Sequence, residues 1–507
     1  MIIKGHLRTG EMHIITSPSN YIIGYMPPSF INNVLKLVSG SVIAQAAGIL
    51  LIPVITRIYS PDDFGIFQLL ISISGIIAVM SCLSYQLSIM LPEDDEDAAN
   101  ITVLCGGLIM VTSVISGLLI LIFKNQIAEV LNAPGLAEYM VFIPIIVFFN
   151  GLFFVLNYWL SRHVRFGSVA VARVTNSLTN KGIQIGAGMA IPPSPLGLIT
   201  GATVGYTLAD LIMLRNLRKD INLFKNVSIK RIKELAIRYK KFPILTSWST
   251  LSNQVSLQIS PFMLAFFFSP TVVGFYSIAH MAVSMPMGLI GGAVGQVFFQ
   301  KASDEKNRTG SIKNIVKEVH RRLISIGILP MLLLVIIGEE VFNFVLGAKW
   351  ETAGLYAKIL APWIFLVFIA SPLSTVFSVL ERQGIGLSFN ISILISRIAM
   401  LYIGGIYGDP ITALILFSGS GVLFWGWMNM YVLKISEVKI GSAIKESLKY
   451  TLLALTVSLP LIFVKYLAMP LYIIFTIAII STSAYYLLVI LEDGILRTEL
   501  IGILKRD

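Results

Sequence analysis

Between residues 168 and 191 an apolar stretch carries Arg173, Asn176, Ser177, Asn180, Lys181 and Gln184. At about 100° per residue along a helix, these side chains fall within a sector of roughly 140°, and the opposite face is largely apolar. Arginine and lysine bind phosphate or acidic sugars through charge-assisted hydrogen bonds. Packing between membrane helices accounts for asparagine and serine, but not for two cations with no acid on the same helix, so this stripe reads as the lining of a polar cavity. Weaker stripes recur: Ser249, Ser252, Asn253, Ser256 and Ser260 within 243–267, Gln68, Ser72, Gly75, Cys82 and Gln86 within 66–90, and Asn390 with Arg397 within 386–407. Each alone is ordinary interhelical packing; together they point to a hydrated lumen. Its sign is positive. Arg57, Arg173, Lys181, Lys358 and Arg397 lie within or bordering apolar stretches, against Asp210 at comparable depth and Glu339 and Glu340 near an edge. Arg57 and Lys358 sit close enough to stretch ends to reach the surface instead.

The elements that must position these residues are membrane spans. Of 507 residues, 56% are hydrophobic and only 13% charged, and mean hydropathy is +0.82. A span needs about 20 apolar residues, and the chain offers about fourteen such stretches, which makes it an all-α polytopic membrane protein. Cationic loops stay on the cytoplasmic side. With the N-terminus inside, most of the 38 Lys and Arg residues fall in cytoplasmic segments, and Arg57, Lys124, Lys349 and Lys465 are left in outer turns. Both termini are therefore expected in the cytoplasm. The run from Arg215 to Lys241 is the most basic connection, and topology control with attraction to anionic lipid accounts for it without nucleic acid.

Several chemistries lack their residues. No phosphate-cradling Walker loop is present, and His6, His13, His163, His280 and His320 lack ligand spacing. Cys82 and Cys105, both in apolar stretches, read as small apolar residues rather than a redox pair. Glu93-Asp94-Asp95-Glu96-Asp97 contains an Asp-x-Asp, but it sits in a short turn with no domain around it and reads as a solvated cytoplasmic turn. No enzyme activity, metal or cofactor is expected.

One signature appears twice. Tyr59-Ser60-Pro61-Asp62-Asp63-Phe64-Gly65 returns 209 positions later as Phe268-Ser269-Pro270-Thr271-Val272-Val273-Gly274, each time between two apolar runs. Serine and proline end one helix and glycine opens the next, with Pro61 and Gly65 shaping the turn. The spacing predicts two homologous halves in parallel orientation. The expected division is a mobile leader at 1–30, a first bundle at 31–214, a basic linker at 215–242, a second bundle at 243–433, and a helix pair with a tail at 434–507.

The signature also carries a resemblance. Arg57-Ile58-Tyr59-Ser60-Pro61, Asn157-Tyr158-Trp159-Leu160, Arg238-Tyr239-Lys240-Lys241-Phe242-Pro243, Gln296-Val297-Phe298-Phe299-Gln300 and Ala361-Pro362-Trp363 resemble the polysaccharide-export flippases, the Wzx-type O-antigen and capsule translocases, from about residue 30 to about 440. The resemblance implies two six-helix bundles around a central cavity, with two further C-terminal helices that offer a groove for a lipid tail. It implies alternating access and transfer of an undecaprenyl-diphosphate-linked oligosaccharide across the bacterial inner membrane. A polysaccharide polymerase and a chain-length regulator are the implied partners. On this footing Arg173, Lys181 and Arg397 would meet the diphosphate or acidic sugars, Asn176, Asn180, Gln184 and Asn253 the sugar hydroxyls, and Arg57 joins the binding set. A cation-coupled multidrug exporter of the same fold, using Asp210, and a non-transporting scaffold are the competing readings.

Overall fold

The structure, a computed structural model, describes residues 48–492; the expected leader, the start of the first span and the tail beyond Glu492 lie outside the described residues. Every regular element described is helical. The first bundle comprises α1 (Ile52–Ile58), α2 (Pro61–Met80), α3 (Asp95–Val130), α4 (Ile143–Arg162), α5 (Phe166–Ala190) and α6 (Pro195–Leu217). The expected linker contains a short amphipathic helix, α7 (Ile229–Arg238). The second bundle repeats the order as α8 (Ser247–Phe267), α9 (Pro270–Thr309), α10 (Lys313–Leu346), α11 (Glu351–Leu373), α12 (Gln383–Tyr407) and α13 (Pro410–Ile435). The pair α14 (Ile440–Tyr466) and α15 (Leu471–Glu492) follows.

Among the described residues, 10 helices are long and apolar enough to cross a bilayer, and 11 if the two segments of α9, bent by 42°, count as one span. The expected fourteen are not all recovered. The α5 and α8 helices fall short because they carry the polar stripes, and only Gly48–Ile58 of the first span is described.

The repeated signature caps helices. Ser60 Oγ accepts from Asp63 N at 3.1 Å while Asp63 Oδ2 accepts from Ser60 N at 2.8 Å, and Pro61 takes the first helical position, where its missing N–H is harmless. Ser269 and Pro270 open α9 with the serine cap alone, Ser269 Oγ accepting from Val272 N at 3.4 Å, since valine stands where Asp63 does in the first copy. Each helix thus begins at its proline, four residues before the glycine, and both glycines are free to serve another purpose. They bring the halves together. A Cβ on Gly65 would lie 1.7 Å from Pro270 O, and one on Gly274 would lie 1.9 Å from Pro61 O. Each glycine therefore receives the backbone of the other repeat's proline, and Thr271 Oγ1 donates to Asp62 Oδ1 across the junction at 3.0 Å.

Around this contact the first signature is buried in its neighbours. Tyr59 is fully buried, donates its hydroxyl to Gln184 O at 2.6 Å, and fills a notch left by Gly188 and Gly197. Trp350 Nε1 donates to Thr56 O at 2.7 Å, and the Trp350 ring meets Phe64 edge-on at 5.2 Å. These contacts close one end of the molecule.

At the opposite end Glu93 to Glu96 are exposed, as expected of a solvated turn, but the run continues into a helix and Asp97 is buried. Asp95, Glu96 and Asp97 form the first turn of α3, where carboxylates complement the helix dipole. Asp97 accepts from both Arg231 Nε and Nη2 at 2.7 and 2.6 Å, and Asp95 accepts from Arg162 Nε at 2.8 Å. The linker helix α7 is thereby strapped across the first bundle with Leu235 buried beneath it.

The C-terminal pair docks on α10. Backbone at Ile337 leaves helical geometry (φ −122°, ψ 22°), and the Lys465 ammonium reaches both Ile336 O and Glu340, the latter at 2.8 Å. Lys358 pairs with Glu339 at 3.4 Å. Tyr485 Oη donates to Ser325 O at 3.0 Å at the other end of the pair.

Replacing Gly65 or Gly274 by alanine places a methyl group inside backbone that has no flexible side chain to withdraw. Each variant is expected to lose at least about 2 kcal/mol, read as a fall of several degrees in the melting temperature of the purified protein. Gly182→Ala, where an added Cβ meets nothing within 4 Å, should leave it unchanged.

Candidate substrate cavity

The polar stripe of α5 divides between two neighbours. Along α6, Gly197, Gly201 and Gly205 recur at the four-residue spacing by which membrane helices approach closely. The Asn180 carbonyl and the Gln184 side chain press on Gly201, where an added Cβ would meet each at 2.6 Å. Asn176 covers Gly205, with its Oδ1 at 2.9 Å from such a Cβ. Gln184 is 1% exposed and donates Nε2 to Leu198 O at 3.2 Å. These three amides are therefore placed in the seam between α5 and α6. Lys181, half-buried, donates to Gln184 Oε1 at 3.2 Å, and Arg173 is half-buried and also engaged.

Other candidates lie elsewhere. Arg57 is exposed at the closed end, where Nη2 donates to Phe344 O at 3.1 Å near the end of α10. It does not join the others. Asn253 is exposed on α8, one turn from Leu257. The stripe of α2 meets α8: Ser72 Oγ donates to Gln258 Oε1 at 2.8 Å, and Gly75 faces the Gln254 amide. Neither glutamine had been singled out in the sequence.

Arg397 lines a large cavity. It has a volume of about 760 Å³ and is walled entirely by second-bundle helices, α8, α9, α11, α12 and α13, rather than by the two bundles together. The guanidinium lies 5.4 Å from the centre of the Trp363 ring, a cation–π distance. Its Nη1 donates to Ser256 O at 3.4 Å, and no carboxylate pairs with it among the described residues. An arginine has five N–H donors, so most remain available to an anion entering the cavity.

Trp363 is held so that it can carry this charge. Gly421 on α13 leaves room for the indole edge, since a Cβ there would sit 2.4 Å from Trp363 Cδ1, and Phe417 meets the ring edge-on at 4.9 Å. His280 stacks on Tyr276 at 5.6 Å and 27°, and stands 6.0 Å from Trp363. Tyr276, His280, Trp363 and Phe417 thus form an aromatic wall beside one cation, an arrangement that offers ring faces to sugar C–H groups and donors to phosphate. His280 had no signal in metal-ligand spacing, whereas Gln296 and Trp363, also lining the cavity, belong to the Gln-Val-Phe-Phe-Gln and Ala-Pro-Trp motifs.

The first bundle holds the opposite case. Asp210 is 1% exposed, and neither carboxylate oxygen has a hydrogen-bond partner among the described residues.

Two six-helix sets in the same order with a pair of added helices, and a cavity beside an arginine that no carboxylate pairs with among the described residues, describe a multi-pass membrane protein. A family model described as "Polysaccharide biosynthesis protein" matches residues 54–354, and the chain belongs to that family. Among solved structures, a lipid II flippase MurJ in an inward closed conformation superposes with a TM-score of 0.67 at 15% identity, covering 90% of this chain and 98% of that one. An inward-facing multidrug resistance MATE family transporter of the MOP superfamily gives 0.58 at 13% identity, covering 80% of this chain and 99% of that one. A MOP superfamily transporter from Pyrococcus furiosus gives 0.51 at 13% identity, covering 79% and 95%. No curated protein sequence matches the chain.

Gly421→Ala should displace the Trp363 ring and with it the Arg397 seat while leaving both residues present. Binding of inorganic pyrophosphate to the purified protein is expected to weaken about tenfold, the equivalent of about 1.4 kcal/mol, measured by calorimetry. Gly419→Ala, which meets nothing within 4 Å, is expected to bind as the unaltered protein does.

Proposed function

We propose that this protein moves a polyprenyl-diphosphate-linked oligosaccharide from the cytoplasmic to the periplasmic face of the bacterial inner membrane by alternating access, with both its termini in the cytoplasm. The observation that carries the reading is Arg397, a cation without a carboxylate partner inside a ring-walled cavity large enough for a diphosphate and a sugar. A buried charge is costly in a membrane protein and is retained where it serves a pathway. Family membership and the MurJ-like fold support a lipid-linked cargo. In this reading the polar head occupies the cavity while the hydrocarbon tail stays in lipid.

Arg397 is assigned to the diphosphate, the aromatic wall to the adjoining sugar, and Asn253 to sugar hydroxyls. Arg173 and Lys181 are the first bundle's contribution to the same anion. Asn176, Asn180 and Gln184 hold the α5–α6 face that presents those cations, and Arg57 ties the closed end together. A polymerase and a chain-length regulator act on the delivered product.

Asp210 favours a second reading, a cation-coupled exporter of the same fold, because a buried carboxylate with no partner is a natural seat for a coupling ion. Under that reading, uptake of a fluorescent organic cation into everted vesicles would be abolished by Asp210→Asn.

In cells whose surface glycan depends on this protein, Arg397→Ala is expected to lower polymer at least tenfold at equal protein level, the loss of charge-assisted bonds of about 1.5–3 kcal/mol. Arg397→Lys, a point charge without the bidentate fork, should restore part of it. Normal polymer in Arg397→Ala would remove this residue from the mechanism.

A further inference from the structure

A second cavity, of about 690 Å³, opens on the other side of the α12–α13 pair, lined among others by Ser388, Phe389, Leu423, Trp427 and Tyr431. Its floor is a ladder of nearly parallel rings. Phe389 and Trp427 stack at 6.3 Å and 12°, Trp427 and Tyr431 at 5.2 Å and 18°, and Tyr431 and Phe377 at 6.2 Å and 28°. Leu423 and Trp427 are 74% and 51% exposed within an apolar spanning helix, so the groove opens toward acyl chains.

The groove adjoins the Arg397 cavity. Phe389 lines the groove, Trp425 lines the cavity, and their rings touch edge-to-face at 5.1 Å and 81°. One pair of aromatic rings is the partition between a polar-headed chamber and an apolar trough. The trough spans the part of α12 near its start and the part of α13 near its end. By the distribution of lysine and arginine this is the cytoplasmic half of the membrane, the leaflet on which the cargo would be collected.

We propose that the α12–α13 groove is the seat of the cargo's polyprenyl tail, with the Phe389–Trp425 ring pair as the gate past which head and tail remain joined. The proposal rests on the lipid-linked reading above and adds where the lipid lies. Its chemistry fits an isoprenoid: methyl-branched, unsaturated units are polarisable and pack along the edges that a stack of rings turns toward the groove. It also sets the tail apart from α14 and α15, whose facing residues Leu461, Val464, Ile474 and Ala478 are buried against Ile337 of α10.

The test uses the full chain in proteoliposomes and a long-chain polyprenol bearing a photoreactive diazirine near its hydroxyl end, with neither phosphate nor sugar. Mass spectrometry is expected to place the crosslinks on peptides containing Ser388, Leu423 or Tyr431, with unlabelled polyprenol competing and a molar excess of phosphatidylglycerol failing to compete. Leu423→Trp, which fills the trough from an exposed position, should reduce labelling at least fivefold, and Trp427→Ala should do the same by removing the central rung. Crosslinks confined to α14 and α15, equal competition by phosphatidylglycerol, or labelling indifferent to both substitutions would overturn the proposal. Since the probe has no anionic head, its result is independent of the Arg397 experiment, and either can fail alone.

Discussion

The fold depends on one reciprocal contact, in which each repeat's glycine accepts the backbone of the other repeat's first helical proline. Carbonyl oxygens at 1.7 and 1.9 Å from the missing Cβ positions mean that only glycine allows this approach. Because Pro61 and Pro270 have no N–H to satisfy, the two helix starts can meet without stranding a donor in a place that water does not reach. Everything at this end follows from the closeness so obtained. Beside this contact, Tyr59 reaches Gln184 within the first bundle, while Trp350 crosses between the halves to Thr56 and packs on Phe64. The closed end is thus a property of the repeat itself, and the cavity beneath it inherits a sealed roof.

Charge is distributed to match. Several cations near the surface are answered by acids: Lys358 by Glu339, Lys465 by Glu340, Arg165 by Asp220 at 2.6 Å, Arg231 by Asp97. These pairs staple helix ends and linkers, and each is individually modest because water screens it. Arg397 differs in kind. It is supported by a ring face and a carbonyl, neither of which neutralises it, so the cavity keeps a net positive charge in surroundings where a charge is felt strongly. The rings and the carbonyl fix the guanidinium in place while leaving most of its N–H donors directed into the cavity.

Much of this was legible in the sequence, and the illegible parts have identifiable causes. The Ser-Pro and Gly positions announced the repeat because capping and backbone closeness admit few residue types. Which partner each glycine would touch was not legible, since the contact joins positions about 200 apart. Arg397 was recognisable as a cation within an apolar stretch, aligned with Asn390. The amides of α5 carried the same apparent signal, yet Gly197, Gly201 and Gly205 on the next helix already marked the face that would receive them. The acidic run before α3 looked solvated because its partner Arg231 comes 134 residues later. His280 gave no sign at all, for a ring in an aromatic wall needs no fixed spacing to other histidines.

Two related bundles have therefore diverged in chemistry while keeping a common frame. The second bundle opens a chamber around an arginine; the first, at the corresponding stage of its construction, packs its polar stripe into a glycine seam and leaves a buried acid, Asp210, without a partner. One half has a cavity with an arginine that no carboxylate pairs with among the described residues, and the other has a glycine seam beside Lys181, which donates to Gln184, with the Asp210 carboxyl set apart. The two proline–glycine contacts hold these unlike halves in one frame, since backbone packed on backbone leaves no side chain that can adjust between them.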